Sequence, residues 1–438
     1  MRRLYKKVFI SLFCICCFII VLFSFITFSY RSVANTTAGG EEIKSKSLNH
    51  NSGDFLYRSM LKSMTLEQKS YQVIMTSIDG SAFFPPHLNR HFANAVPGAV
   101  LLFKKNIADD PMVMKSYIQD CQRSFQSLKA PSPVLFAIDH EGGAVYRTGK
   151  LTTRLPSPAV VAHDLSPEQA RRLYSLTAIQ LSYLGIHINL APVAEIRMPY
   201  NASFLSDRSF GDDPDISFKY SVAAIEGYLS SGIIPVLKHF PGNTSDDPHL
   251  GIPVMDVSEQ SLRTDFILPF RKLFELDTPA LLASHVLVPV IDQLHPFCLS
   301  THGVRQLLRN ELQYDGLVIT DDLSMKALES AGFSTAASAV LALEAGCDMI
   351  MISDTGFRAA ASAIQSKAEQ SPEFVLRLDE AVRRIIRIKH RAGLIRILNV
   401  NDVFNRDKHA FKSALIDEEA YLAAMRKGAE ILGETDEK

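Results

Sequence analysis

A parallel (β/α)8 barrel, the TIM barrel, is the fold this sequence predicts, and three observations predict it. Eight short apolar runs recur between residues 55 and 395. Amphipathic stretches such as 167–184, 216–230 and 335–345, with apolar positions three and four residues apart, lie between them. Asp139, Glu195, His239, His285, Asp321 and Asp354 each stand at or just past the C-terminal end of a run, where barrel enzymes place their chemistry. Strand alternating with helix calls for a parallel sheet. Eight repeats favour closure, because doubly wound sheets commonly stop at about five or six strands.

The runs follow in order at 72–77, 98–103, 134–139, 188–193, 233–239, 281–286, 316–321 and 347–353. Each is short and rich in Val, Ile, Leu, Ala or Met, the composition of a strand buried on both faces. The third ends in Asp139, the fifth in Lys238-His239, the sixth in Ser284-His285-Val286 and the seventh in Asp321. Side chains launched from such strand ends point into a common site.

The 438 residues carry 47% hydrophobic and 21% charged side chains, a globular composition that permits a sizeable core. A formal net charge of -1 provides no basic field for neutralising phosphates, which argues against nucleic acid as a partner. Arg2, Arg3, Lys6 and Lys7 precede a charge-free stretch, 8–30. At about 1.5 Å per residue that stretch covers roughly 34 Å, enough to cross a hydrocarbon core of about 30 Å. Ser32-Val33-Ala34 offers a small-x-small cleavage site. Residues 1–34 therefore read as a signal anchor or a cleaved signal peptide. The basic flank puts the body outside the cytoplasm, periplasmic or at the cell surface, with the membrane as a partner through the N-terminal segment.

Residues 35–54, rich in Ser, Asn, Gly and Lys, read as a polar linker. A single barrel domain over 55–395 follows, and then a helical tail over 396–438 that docks on the body or frays. Cys14, Cys16 and Cys17 sit in the apolar segment. Cys121, Cys298 and Cys347 are widely spaced and imply neither a disulfide framework nor a metal site.

Two segments carry the chemistry. Lys238-His239-Phe240-Pro241-Gly242-Asn243-Thr244-Ser245-Asp246-Asp247-Pro248-His249 packs ionisable groups and turn formers behind an apolar run, and Thr320-Asp321-Asp322 closes another run with two carboxylates. Together they suggest an enzyme that works with a carboxylate and a histidine.

These residues resemble a known family. Lys238-His239-Phe240-Pro241-Gly242, Asp247-x-His249 and Leu250-Gly251-Ile252-Pro253 resemble the signature of bacterial β-N-acetylhexosaminidases of glycoside hydrolase family 3, the NagZ type. In the family's order stand Met64-Thr65-Leu66-Glu67, Ile138-Asp139-His140-Glu141-Gly142-Gly143, Ala191-Pro192-Val193, Asp207-Arg208-Ser209-Phe210-Gly211, Ser284-His285-Val286 and Thr320-Asp321-Asp322-Leu323-Ser324-Met325. The resemblance covers residues 55–394.

The resemblance implies a retaining, two-step hydrolysis of terminal β-linked N-acetylglucosamine, with peptidoglycan fragments or related oligosaccharides as substrates. Asp321 stands at the nucleophile's position, a role for which a carboxylate needs no base. Asp322 is the second candidate, although adjacent strand-end residues point in different directions. His249 would be the acid/base and Asp247 its orienting partner, a histidine titrating close to working pH. Asp139, Arg208, Lys238 and His239 match residues that hold sugar hydroxyls, with Arg147 near the ring. His285 either touches the sugar or braces the barrel rim. Where the family commonly has His, Ser, Asp and Arg, this chain has Asn243, Pro248, Glu195 and Ala144, and its connection from Gly242 to Asp247 is shorter.

No cofactor and no metal are expected, and the protein reads as a monomer. Trp is absent, so Tyr146, Tyr200, Phe204 or Phe210 would supply any stacking surface. Three other readings stand beside the hydrolase: a phosphorylase on the same scaffold, a zinc hydrolase using His239, Asp247 and His249, and an inactive membrane-tethered sugar-binding protein. Phosphate dependence, metal content and binding without turnover separate them.

Overall fold

The computed structural model describes residues 56–246, 251–395 and 416–433. The chain divides into Met1–Ser59 and Met60–Lys438, and the second unit is the body described below. The expected signal or anchor segment, the linker, and both Asp247 and His249 lie outside the described residues. Among the described residues no helix is long and apolar enough to cross a membrane.

Eight parallel strands form one sheet: β1 Ile74–Ser77, β2 Ala99–Leu102, β3 Leu135–Ile138, β4 Ile188–Asn189, β5 Ile234–Phe240, β6 Ala280–Ala283, β7 Leu317–Thr320 and β8 Ile350–Ile352. Each pairs with its sequence neighbour, and β1 also pairs with β8, so the order is β7-β6-β5-β4-β3-β2-β1-β8. The seam between β7 and β8 is stitched by the bridge Ile319–Met349, by Thr320 N–H donating to Met349 O at 3.0 Å, and by Leu323 N–H donating to Met351 O at 2.9 Å. The predicted barrel is present. Nearly every strand residue is buried, which explains the continuous apolar runs.

β4 is shorter than its run. Pro192 has no N–H to give to a ladder, and beyond it a single bridge, Val193–Lys238, continues the pairing. The helices begin where caps and prolines place them. Pro167–Tyr183 (α1) starts on a Ser166 capping box and Pro214–Leu229 (α2) on Asp213, each with proline in the first turn. Thr335–Ala345 (α3) is capped by Ser334, and Pro372–Arg391 (α4) by Ser371. In the tail, Glu418–Ile431 (α5) packs on α1.

Below the barrel, at the N-terminal end of β8, fully buried Asp348 accepts from Arg309 Nη2 at 2.5 Å, Arg377 Nη2 at 2.7 Å and Arg384 Nη1 at 3.2 Å. It also caps the start of β7 by accepting from Val318 N–H at 3.0 Å. Cys121, Cys298 and Cys347 are buried free thiols.

Candidate active site

The C-terminal ends of the strands surround a cavity of about 300 Å³ lined by Asp139, Arg147, Arg208, Lys238, His239, Asp321 and Asp322 together with Phe103, Phe204, Met325 and Met351. Seven charged or polar residues singled out in the sequence, and Phe204 with them, thus converge on one space from five segments of the chain.

The wall starts at the end of β3. Asp139 leaves the strand, and the chain then turns through Gly142 (φ 102°) and Gly143 (φ 56°). A Cβ on Gly142 would lie 2.1 Å from Pro156 O, and one on Gly143 2.5 Å from Ser157 Cβ, so the turn needs glycine at both positions. The turn folds Glu141 inward. Its carboxylate accepts both Nε and Nη2 of Arg208, at 2.9 and 2.8 Å, and pairs with Lys238 Nζ at 2.5 Å. Burial pushes the Glu141 carboxyl up, but Lys238 and Arg208 outweigh burial and bring it to about 2. Lys238 Nζ also lies 2.5 Å from Asp139 Oδ1, while Arg147 Nη2 is 3.5 Å from Asp139 Oδ2. Burial works against the Lys238 charge; Asp139 and Glu141 win, and its pKa rises. The result is a fixed row of donors and acceptors suited to a polyhydroxylated ring.

Glu141 is the residue that sequence reasoning left unassigned. Its signal was alternation: Asp139 and Glu141 stand two apart at a strand end, just before two glycines.

At the end of β5, the ring of His239 donates Nδ1–H to Glu195 Oε1 at 2.7 Å. Glu195 also accepts the His239 N–H at 3.1 Å, Asn243 N–H at 2.7 Å and Asn243 Nδ2 at 3.0 Å. Glu195 therefore sets the His239 ring and anchors the start of the loop toward Asp247 from behind.

On the floor, the carboxylate of Asp321 accepts the N–H of Asp322 at 2.9 Å. Burial raises its pKa, and His285, His239, that N–H and Lys238 more than offset the rise, so Asp321 is held ionised below the ordinary carboxylate value. Asp322 differs. Its Oδ1 accepts from Ser324 N–H at 3.0 Å, Ser324 Oγ at 2.6 Å and Ser353 N–H at 3.2 Å, so it ties the loop after β7 to the end of β8. His285 stands behind this turn. Its Nε2 donates to Asp322 O at 3.0 Å and its Nδ1 is 3.2 Å from Cys298 Sγ. Asp354 accepts the N–H of Gly356 at 2.8 Å and does not line the cavity.

Of the four aromatic residues expected to offer a stacking face, Phe204 borders the cavity, 5.9 Å from the His239 ring and 5.2 Å from the Arg208 guanidinium. The others are engaged elsewhere. Tyr146 turns its hydroxyl toward Thr152 O at 2.7 Å, Tyr200 packs on Phe266 at 5.1 Å and buried Phe210 lies beside Tyr174 and Tyr220. Among the described residues no group of three or more His, Cys, Asp or Glu side chains is arranged to hold a metal ion.

A parallel barrel whose strand ends gather an ionised carboxylate and a row of charged hydrogen-bonding groups around one cavity suits an enzyme acting on a polar substrate. Residues 65–388 match the family described as "Glycosyl hydrolase family 3 N terminal domain". The chain belongs to glycoside hydrolase family 3, of the NagZ type, and the protein is a glycoside hydrolase.

Similar proteins agree. A "Beta-hexosaminidase" of Alkalilimnicola ehrlichii is 34% identical over 263 residues, 58% of this chain and 73% of the relative. One from Idiomarina loihiensis is 34% identical over 267 residues, 59% and 77% of the two chains. The structure of a family 3 β-N-acetylglucosaminidase from Paenibacillus superposes with a TM-score of 0.71 at 27% identity, covering 84% of this chain and 69% of that one.

Proposed function

We propose that the protein is a retaining exo-β-N-acetylglucosaminidase that releases terminal β-linked N-acetylglucosamine from peptidoglycan fragments or related oligosaccharides. The observation that carries this reading is the state of Asp321: an ionised carboxylate on the cavity floor, beside the row formed by Asp139, Arg147, Lys238 and Arg208. The β-hexosaminidase relatives support the choice of sugar.

In this mechanism Asp321 attacks the anomeric carbon, the bond to the leaving oxygen breaks, and a glycosyl-enzyme forms. Asp322 is the weaker nucleophile candidate because its Oδ1 already accepts three hydrogen bonds. His249, oriented by Asp247, gives its proton to the leaving oxygen and then takes one from the incoming water. Lys238, Asp139, Arg208 and Arg147 hold the ring hydroxyls. Secretion or membrane anchoring through residues 1–34 would bring the enzyme to wall-derived substrates.

The test uses an aryl β-N-acetylglucosaminide with the wild type and Asp321→Asn, in buffers with and without phosphate. Turnover that needs Asp321 and ignores phosphate supports the hydrolase. Loss of about four decades or more in kcat is expected for removal of a covalent nucleophile. Near-normal rates in Asp321→Asn would remove Asp321 from the role, and formation of sugar 1-phosphate would make the protein a phosphorylase.

A further inference from the structure

Helix α5, Glu418–Ile431, lies beyond the part of the chain that matches the family, residues 65–388. It does not dock at random. Tyr421, Ala424 and Gly428 form its buried stripe, at the three- and four-residue spacing of a helix face. The stripe meets the loop after β3, the same loop that carries Arg147 to the cavity.

The contacts are specific. Tyr421 Oη donates to Leu151 O at 2.8 Å, and its ring stacks on Tyr183 at 4.4 Å. Thr153 Oγ1 donates to Met425 O at 3.2 Å. A Cβ on Gly428 would lie 2.5 Å from Thr153 Oγ1, so the helix can approach this closely only with glycine there. From the other side, Gln180 of α1 accepts Thr153 N–H at 3.0 Å and donates to Thr153 Oγ1 at 2.9 Å. Residues 151–153 are clamped between the two helices.

The clamp connects inward. The Tyr146 hydroxyl bonds to Thr152 O at 2.7 Å, and its ring lies 4.8 Å from the His140 ring. The neighbouring Arg147 N–H donates to His140 Nδ1 at 3.3 Å. The Arg147 side chain is one-third exposed, and among the described residues its ion pair is the 3.5 Å contact to Asp139. Its position therefore follows its backbone, and its backbone follows the clamp.

We propose that α5 is a positioning element for the sugar cavity: Tyr421 and Gly428 hold the 146–153 segment so that Arg147 meets the substrate. The inference rests on the sugar-binding reading given above for Arg147. Binding, not the chemical step, should respond.

The experiment takes full-length wild type, Tyr421→Phe, Gly428→Val and the double variant Tyr421→Ala/Gly428→Val. It follows amide hydrogen exchange at Thr152 and Thr153 beside steady-state kinetics on an aryl β-N-acetylglucosaminide. KM is expected to rise in step with exchange, by about five- to twentyfold in Gly428→Val, with kcat within about twofold. In an Arg147→Met background, Gly428→Val should add less than about twofold, because the two changes act through one group. A flat KM across variants whose exchange increases, or full multiplication of the two effects, would overturn the proposal. If wild type turns over the glycoside and Arg147→Met raises KM while the helix variants do not, only the positioning role is lost. No turnover by wild type, or an unchanged KM in Arg147→Met, removes the sugar-binding reading on which it rests.

Discussion

The barrel holds two buried ionic clusters, one at each end, and they differ in what they leave open. At the base, Asp348 meets Arg309, Arg377 and Arg384; Arg309 and Arg377 spend other donors on the carbonyls of Tyr314, Gly316, Leu343, Gly346 and Cys347, while Arg377 and Arg384 also reach out to the carboxylates of Glu380 and Asp315. Asp348 itself is fully enclosed by these arginines and the Val318 N–H. At the top, Glu141, Lys238, Arg208 and Asp139 pair just as closely but share one side with a cavity of about 300 Å³. The same residue types hold the fold together below and await a ligand above. What distinguishes the two clusters is that Asp139, Lys238 and Arg208 themselves line a cavity, whereas Asp348 is fully buried among its partners.

The contrast makes opposite predictions for similar substitutions. Lys238→Met strips the top cluster of its central cation and leaves Asp139 without its nearest partner. We expect kcat/KM to fall by about two to four decades, the range for breaking a buried charged hydrogen-bond pair at a binding site, while the thermal midpoint moves much less in proportion. A variant with near-wild-type kinetics would show that the top cluster is structural too.

Asp348→Asn is the mirror image. Three guanidiniums lose their shared anion, which costs about 3–5 kcal/mol of stability, while kcat per folded molecule stays within about twofold of wild type. Denaturant titration beside kinetics reads both. Burial pushes the Asp348 carboxyl up, and the three arginines bring it down to about 2 against an ordinary 3.8. Its contribution is therefore fully present above pH 3.8 and disappears as the pH falls toward 2. A large activity loss with unchanged stability would break the division between the two ends.

A third buried charge also lies at the base. Lys389 of α4 is fully buried, and its Nζ donates to Gln72 Oε1 at 2.7 Å and Ser132 Oγ at 2.8 Å, both neutral acceptors. Burial lowers its pKa from 10.5 to about 7. The folded state disfavours the ammonium, so the penalty is complete below pH 7 and is relieved as the pH rises from 7 to 10.5, by at most about 1.4 kcal/mol per pH unit. Lys389→Met should flatten this slope of stability against pH. An equal slope in wild type and variant would rule out Lys389 as its origin.

Much of this arrangement was legible in the sequence, and the illegible parts have physical causes. The strands read clearly because each is buried on both faces, leaving a continuous apolar run that ends in a polar residue. β4 reads too long because Pro192 breaks a ladder without breaking hydrophobicity. Lys238, His239, Asp139, Arg208 and Arg147 could be gathered by motif, but Glu141 was not assigned: its partners lie 67 residues and more away, and the Gly142-Gly143 pair does not tell which way the turn aims it. Glu195 stood at a strand end like a site residue, yet it serves the site from behind, through His239 and Asn243. Of the four aromatic alternatives Phe204 borders the cavity, and the sequence left the choice open because ring type says nothing about which way a loop turns.

His285 supplies the smallest and sharpest test of the boundary between site and scaffold. Asp322 O can only accept, so Nε2 of His285 carries a hydrogen, and Nδ1 faces the thiol of Cys298. Cys298 is placed to donate its S–H to that nitrogen at 3.2 Å, and burial raises the thiol pKa so far that it stays protonated. The thiol thereby packs against the ring that holds the turn at Asp321-Asp322. Cys298→Ala removes one donor, worth about 0.5–1.5 kcal/mol, and should lower kcat about three- to tenfold while leaving the sugar KM unchanged. Cys298→Ser, which keeps a donor, should recover most of the loss. Equal rates in the Ala and Ser variants would mean that Cys298 only fills space, and the scaffold would then begin one residue nearer to the nucleophile's turn than the hydrogen bonds place it.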